Sequence, residues 1–243
     1  MIEQQIAIAT KDGHTATFIV HPERGGPFPV ILFYMDAPAI REELRDMARR
    51  LATSGYYVML PNLYYRSGVM ELGALPADPN SLERKRMFQL MASLNIPMIM
   101  DDTRALLTYA EGQTAANTKL IGTVGYCMSG RYAINAATHF PEGVKAAASI
   151  YGTHLATEED NSPHLAAGKT RAELYFACAE TDIYAPPEVI AKVADRVKGA
   201  KAEVEIYPGT HHGFAFPKRP VYDRDAAERH WERLLALYRR NLV

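Results

Sequence analysis

The sequence is short of cysteine. Only Cys127 and Cys178 occur among 243 residues. A small secreted scaffold held by disulfides needs more cysteines in a shorter chain, so that class is excluded. Charge imbalance is also missing. The 27 basic and 28 acidic residues leave a formal net charge of −1. No field of one sign is available to gather nucleic acid or an anionic bilayer. The run Arg84-Lys85-Arg86 has the length of an ordinary solvated helix face. No stretch approaches the ~18 consecutive apolar residues that a membrane-spanning helix requires. Met1-Ile2-Glu3-Gln4-Gln5 has neither the basic nor the apolar region that opens a secretory signal. The expectation is a cytoplasmic protein without nucleic-acid or membrane partners, in a reducing compartment that keeps a thiol available. Repeats, low-complexity tracts and shifts of composition are absent too, which predicts one domain over 1–243. A monomer and a homodimer fit equally well.

About half of the residues are hydrophobic (48%), enough in a chain of this length for a substantial core. Their pattern alternates strand and helix. Residues 6–9 and 15–20 read as two strands around Lys11-Asp12-Gly13, an N-terminal hairpin. Short apolar runs at 29–34, 56–60, 119–126, 144–151, 172–177 and 202–207 read as strands covered on both faces. Helical spacing occupies 40–52, 82–94, 97–111, 128–139, 186–197 and 223–240, with Pro97 marking a break. The stretch 61–80, rich in Pro, Gly, Tyr and Asn, reads as a long surface connection, and 152–170 as a polar one. Repeated strand-helix units predict an α/β fold: a mostly parallel, doubly wound sheet behind an N-terminal antiparallel hairpin.

One strand-helix junction carries chemistry. The run Gly125-Tyr126-Cys127-Met128-Ser129-Gly130 takes a strand directly into a helix, and its small residues permit a tight bend. Cys127 then sits at a helix N-terminus, where the dipole favours a thiolate. The backbone N–H of Met128, one residue on, can donate to a developing oxyanion. This is the nucleophile-elbow pattern with Cys in place of Ser and with Ser129 at the second glycine position. A buried structural cysteine is the competing account of the same residue, and it is the preferred account of Cys178, inside a strand.

Chain order favours the nucleophile. Hydrolases of this pattern place an acid and then a histidine after it. Asp182 follows the strand that contains Cys178, and His211-His212 follow the last strand. A histidine there would move the proton, and Asp182 would orient the imidazole and stabilise its charged form. An N-cap ahead of the helix at Pro186 is the bland role for Asp182. Two adjacent histidines on an extended backbone point apart and chelate poorly, and the remaining histidines show no spacing such as HExxH, so no metal is expected.

With Cys127 in Gly-Tyr-Cys-Met-Ser-Gly, Asp182 after a strand, His212-Gly213-Phe214 in the following loop and Leu60-Pro61-Asn62-Leu63-Tyr64 earlier on, the sequence resembles the dienelactone hydrolase family from about Val30 to Phe216. The resemblance implies an α/β-hydrolase fold, a Cys-His-Asp triad with His212 as base, and no cofactor. It places Asp36 where the family has a glutamate that holds the resting thiol, although Asp36 could equally cap the helix near Ile40. It makes the N–H of Ala37 the second oxyanion donor. The family also carries an arginine two residues beyond the Phe of its His-x-Phe, to pair with a substrate carboxylate, and Phe216 stands there instead. Arg84 or Arg86 could supply a charge from elsewhere. Tyr64, Tyr65, Phe214 and Phe216 imply a more aromatic pocket, and hence an ester or lactone other than dienelactone. Two other readings remain: a ligand receptor that kept a vestigial site, and a redox-sensing thiol at Cys127.

Overall fold

A computed structural model of the chain describes residues 1–243 except Ala74 and Ala77. The predicted surface connection 61–80 includes those two, and at these positions alone it lies outside the described residues. The described residues group into two compact units, Met1–Thr118 and Lys119–Val243.

In the first unit β1 (Ile2–Thr10) and β2 (Gly13–His21) form the expected antiparallel pair, joined through Lys11-Asp12. Gly13 takes φ 139°, a value that side chains avoid. β3 (Phe28–Tyr34) and β4 (Tyr57–Pro61) run parallel, and β2 lies antiparallel to β4 on its other side. Every residue of β4 is buried, as a continuous apolar run requires. Between them α1 (Glu42–Thr53) buries Leu44, Met47, Ala48 and Leu51, the stripe expected from spacing. α2 (Leu82–Ala92) is capped by Ser81, and α3 (Ile96–Glu111) by Asn95, whose side chain accepts from Met98 N at 2.9 Å. Pro97 opens α3 in its first turn, where a missing N–H costs nothing.

The division between the units falls inside β5 (Ala116–Tyr126). In the second unit β5, β6 (Val144–Ile150), β7 (Glu173–Thr181) and β8 (Ala202–His211) pair in that order, all parallel. The crossovers are α4 (Gly130–His139), α5 (Pro163–Ala167) and α6 (Pro187–Arg196), and α7 (Arg224–Asn241) closes the chain. α7 buries Ala227, Trp231, Leu234, Leu237 and Tyr238. The described residues therefore form eight strands, mostly parallel, with an antiparallel pair first and helices between them, as the sequence pattern predicts. Among the described residues no helix is long and apolar enough to cross a membrane.

Several strands exceed their predicted spans, and in β7 and β8 the extension passes through an irregularity. The apolar run of β7 ends at Ala179, but its ladder with β8 continues to Thr181 opposite His211, through a register shift. β8 likewise passes through Pro208-Gly209, with Gly209 at φ 72°. A proline is tolerated there because β8 pairs on one side only. The stretch 152–170 also holds a short helix, α5, too brief to show periodicity.

Candidate active site

The nucleophile candidate sits at the end of β5, and its setting follows from three small residues. Tyr126 is still extended (φ −105°, ψ 144°), and Cys127 turns to φ 55° at the start of a 3₁₀ turn, Cys127–Ser129, that runs into α4. A positive φ is rare for a side-chain-bearing residue and costs of order 1–3 kcal/mol unless the surroundings impose it. They do so by close packing. A Cβ on Gly125 would lie 2.0 Å from the carbonyl oxygen of Ser129. One on Gly130 would lie 2.3 Å from Ser149 Oγ and 2.7 Å from Gly152 Cα. The closeness that an elbow normally draws from its second glycine is here supplied by Gly130, and Ser129 is buried in its place. Thr153 N donates to Cys127 O at 3.0 Å and ties the loop after β6 to the bend. Met128 occupies the middle of the turn and is fully buried.

Asp182 follows β7 directly and is buried. Its Oδ1 accepts Tyr184 N at 2.9 Å and its Oδ2 accepts His212 Nδ1 at 2.7 Å. It does not cap α6, which begins behind Pro186 with no side-chain cap. A proton on Nδ1 leaves Nε2 as the atom for chemistry. Nε2 is buried and makes no hydrogen bond of ordinary geometry, yet the Cys127 sulfur is near enough to act on the ring's charge. Burial pulls against the imidazolium, but the negative form of Cys127 and the hydrogen bond and charge of Asp182 outweigh it and hold His212 up at about 9. His211, the other sequence candidate, is exposed in β8 opposite Thr181.

Two residues around this histidine escaped the sequence reading. The rings of Tyr151 and Tyr184 meet the imidazole edge-on, with centroids at 5.1 and 4.9 Å. The available signal was their position just past strand ends, Tyr151 directly after β6 and Tyr184 three residues after β7. Phe214 and Phe216 are both fully buried. Phe214 stacks on Tyr207 at 4.9 Å and meets Tyr151 at 5.2 Å, and Phe216 meets Tyr126 at 5.4 Å and has the Arg219 guanidinium over its ring at 4.9 Å. They support the ring of Tyr151 from the core. Cys178 is buried, and burial with help from the Asp182 charge pushes its thiol up to about 12. Among the described residues no three His, Cys, Asp or Glu side chains are grouped to hold a metal ion.

The remaining sequence candidates belong to the first unit. Asp36 is fully buried, and its carboxylate takes Arg41 Nη1 at 2.5 Å and Nη2 at 3.1 Å. It is not a helix cap, because α1 starts later, behind Arg41. Burial works against the Arg41 charge, but Asp36 and Glu43 more than offset it and raise its pKa. The carbonyl of Ala37 accepts Tyr64 OH at 3.0 Å. Tyr65 OH bonds Asp102 Oδ1 and Thr10 Oγ1, each at 2.8 Å, and Arg66 forks onto the same Asp102. Arg84 Nε donates to Pro76 O at 2.5 Å.

Comparison with known proteins agrees with this arrangement at the level of family. Residues 15–242 match the model of the "Dienelactone hydrolase family". A protein of Methylorubrum extorquens named "Putative carboxymethylenebutenolidase" is 28% identical over 98% of this chain and 81% of its own. A crystal structure from Klebsiella pneumoniae, described as a "Putative Dienelactone Hydrolase", superposes with TM-score 0.86 at 24% identity over 98% of both chains. A dienelactone hydrolase of Anabaena variabilis superposes at 0.68 and 17% identity, over 100% of this chain and 99% of its own. At those identities the two structures speak for the fold alone, and it is the α/β-hydrolase fold.

Proposed function

The chain belongs to the dienelactone hydrolase family, and from that membership we propose that it cleaves a small uncharged ester or lactone by Cys127, His212 and Asp182. One observation carries the reading: His212, fixed through Nδ1 by Asp182 at 2.7 Å, keeps its buried Nε2 on the side that feels Cys127. The family model runs from 15 to 242 as one match, which supports reading the 243 residues as one hydrolase domain.

The chemistry begins with the proton of Cys127 on His212. The thiolate attacks the carbonyl carbon, and the carbonyl π electrons move onto the oxygen, where Met128 N–H donates. As the tetrahedral intermediate collapses, the C–O bond to the leaving group breaks and the departing oxygen takes the proton from His212 Nε2. Water then gives a proton to Nε2 while its oxygen attacks the thioester carbon. Collapse of this second intermediate releases the carboxylic acid and restores the thiolate beside the imidazolium. Asp182 keeps its charge throughout and compensates the imidazolium.

The absence of charge on the substrate follows from Phe216. An apolar ring, buried at the place where the family's arginine stands, cannot pair with a carboxylate. Kinetics on a panel of neutral esters and lactones tests the proposal. Cys127→Ala and His212→Ala should each lower kcat/KM by ~10³-fold or more. Full activity in Cys127→Ala would overturn it.

A further inference from the structure

Two rings meet the imidazole of His212 edge-on, and they differ in exposure. Tyr151 is 1% exposed and packed against Phe214 and Phe216. Tyr184 is 42% exposed, and Ile183 beside it is 83% exposed. They form the one sequence-adjacent pair among the exposed large hydrophobic residues described. Their loop is not loose where it meets the site, because Tyr184 N is anchored on Asp182 Oδ1, the same carboxylate that orients the base. An exposed apolar pair pinned to a catalytic carboxylate has a fixed position relative to the proton in transfer.

That position selects one half of the substrate. His212 delivers its proton to the oxygen of the leaving group, so the group borne by that oxygen must lie against the imidazole. Tyr151 is buried in the core, so of the two rings against the imidazole it is the exposed ring of Tyr184, with Ile183 next to it, that a leaving group can meet. We propose that Tyr184, backed by Ile183, sets the specificity for the alcohol half of the substrate and selects esters with an aromatic or bulky apolar leaving group. The inference rests on the hydrolase reading above and names the substrate class of the same site. Ring-on-ring contact of this kind is directional and adds to simple burial, and it acts on kcat/KM because it persists into the transition state.

The test compares benzyl acetate with ethyl acetate, each rate divided by that of hydroxide-catalysed hydrolysis of the same ester. The wild-type protein should favour the benzyl ester by ~10-fold in kcat/KM, the upper size of one aromatic contact. Tyr184→Ala should reduce the preference to within ~2-fold, Tyr184→Phe should keep it, and Ile183→Ser should lower it in part. The ratio of ethyl phenylacetate to ethyl acetate, which moves the ring to the acyl half, should be insensitive to Tyr184→Ala. A wild-type benzyl preference near one, or one unchanged in Tyr184→Ala, would overturn this inference and leave the hydrolase reading standing. An acyl-side ratio that falls in Tyr184→Ala would overturn the assignment to the leaving group. If the wild-type protein turned over neither these esters nor the wider panel, the hydrolase reading itself would fail.

Discussion

Two thiols in one unit have opposite settings, and the difference is one of charge. Cys127 faces an imidazole that holds its proton up to about 9, so a counter-charge for a thiolate is built in. Cys178 lies in the strand core, where burial pushes its thiol up to about 12. Iodoacetamide at neutral pH should therefore alkylate Cys127 and spare Cys178, as read by peptide mass spectrometry. The proton on His212 also shapes the pH profile. kcat/KM for a neutral ester should fall as pH rises through about 9, where the acid for the leaving group is lost. In Asp182→Asn that alkaline limb should move to lower pH, because the hydrogen bond and charge of Asp182 help hold the proton. Stability follows the same group. His212 binds its proton more tightly folded than unfolded, where the ordinary value is 6.5. The stabilisation is complete below 6.5 and is lost as pH rises through about 9. The thermal midpoint should decline over that window, and less so in His212→Gln.

At the scale of elements the bend after β5 depends on absent side chains. Gly125→Ala places a Cβ 2.0 Å from a backbone oxygen that cannot swing aside. Its urea midpoint should show a loss of ~3 kcal/mol or more, the upper range of overpacking. Gly130→Ala meets Ser149 Oγ and Gly152 Cα. Adding Ser149→Ala removes the first obstacle and not the second, so it should recover part of the loss. Most elements were legible because their apolar spacing matched one period. The helix α7 reads from the sequence as starting at Asp223, and the structure makes that residue its N-cap, with the side chain accepting Ala226 N at 2.9 Å. The far end of β8 was not legible. Pro208-Gly209 is ordinarily a stop, and only pairing with β7 carries the strand beyond it. The side chain of Glu180 accepts Gly209 N at 2.9 Å across that irregularity.

At the scale of the whole chain, 27 basic and 28 acidic residues leave almost no net field. Long-range steering is then weak, and kcat/KM for a neutral ester should change by less than ~2-fold between low and physiological salt. The chain order of Cys127, Asp182 and His212 and the strand that each follows are read from the sequence alone, because strand and helix periods are local properties that survive without a partner. Tertiary structure decided what each side chain meets. The family resemblance already favours His212 over His211, and the fold supplies what each meets: His212 Nδ1 bonds Asp182, and His211 lies opposite Thr181 in the β7–β8 ladder. Asp36 found Arg41, five residues on, and not a helix end, because α1 begins later than its spacing suggests. Tyr151 and Tyr184 lie far from His212 in the chain and meet it only where parallel strands bring their C-terminal ends side by side. Cys127 could be singled out from six residues of sequence, and the rings around His212 required the fold.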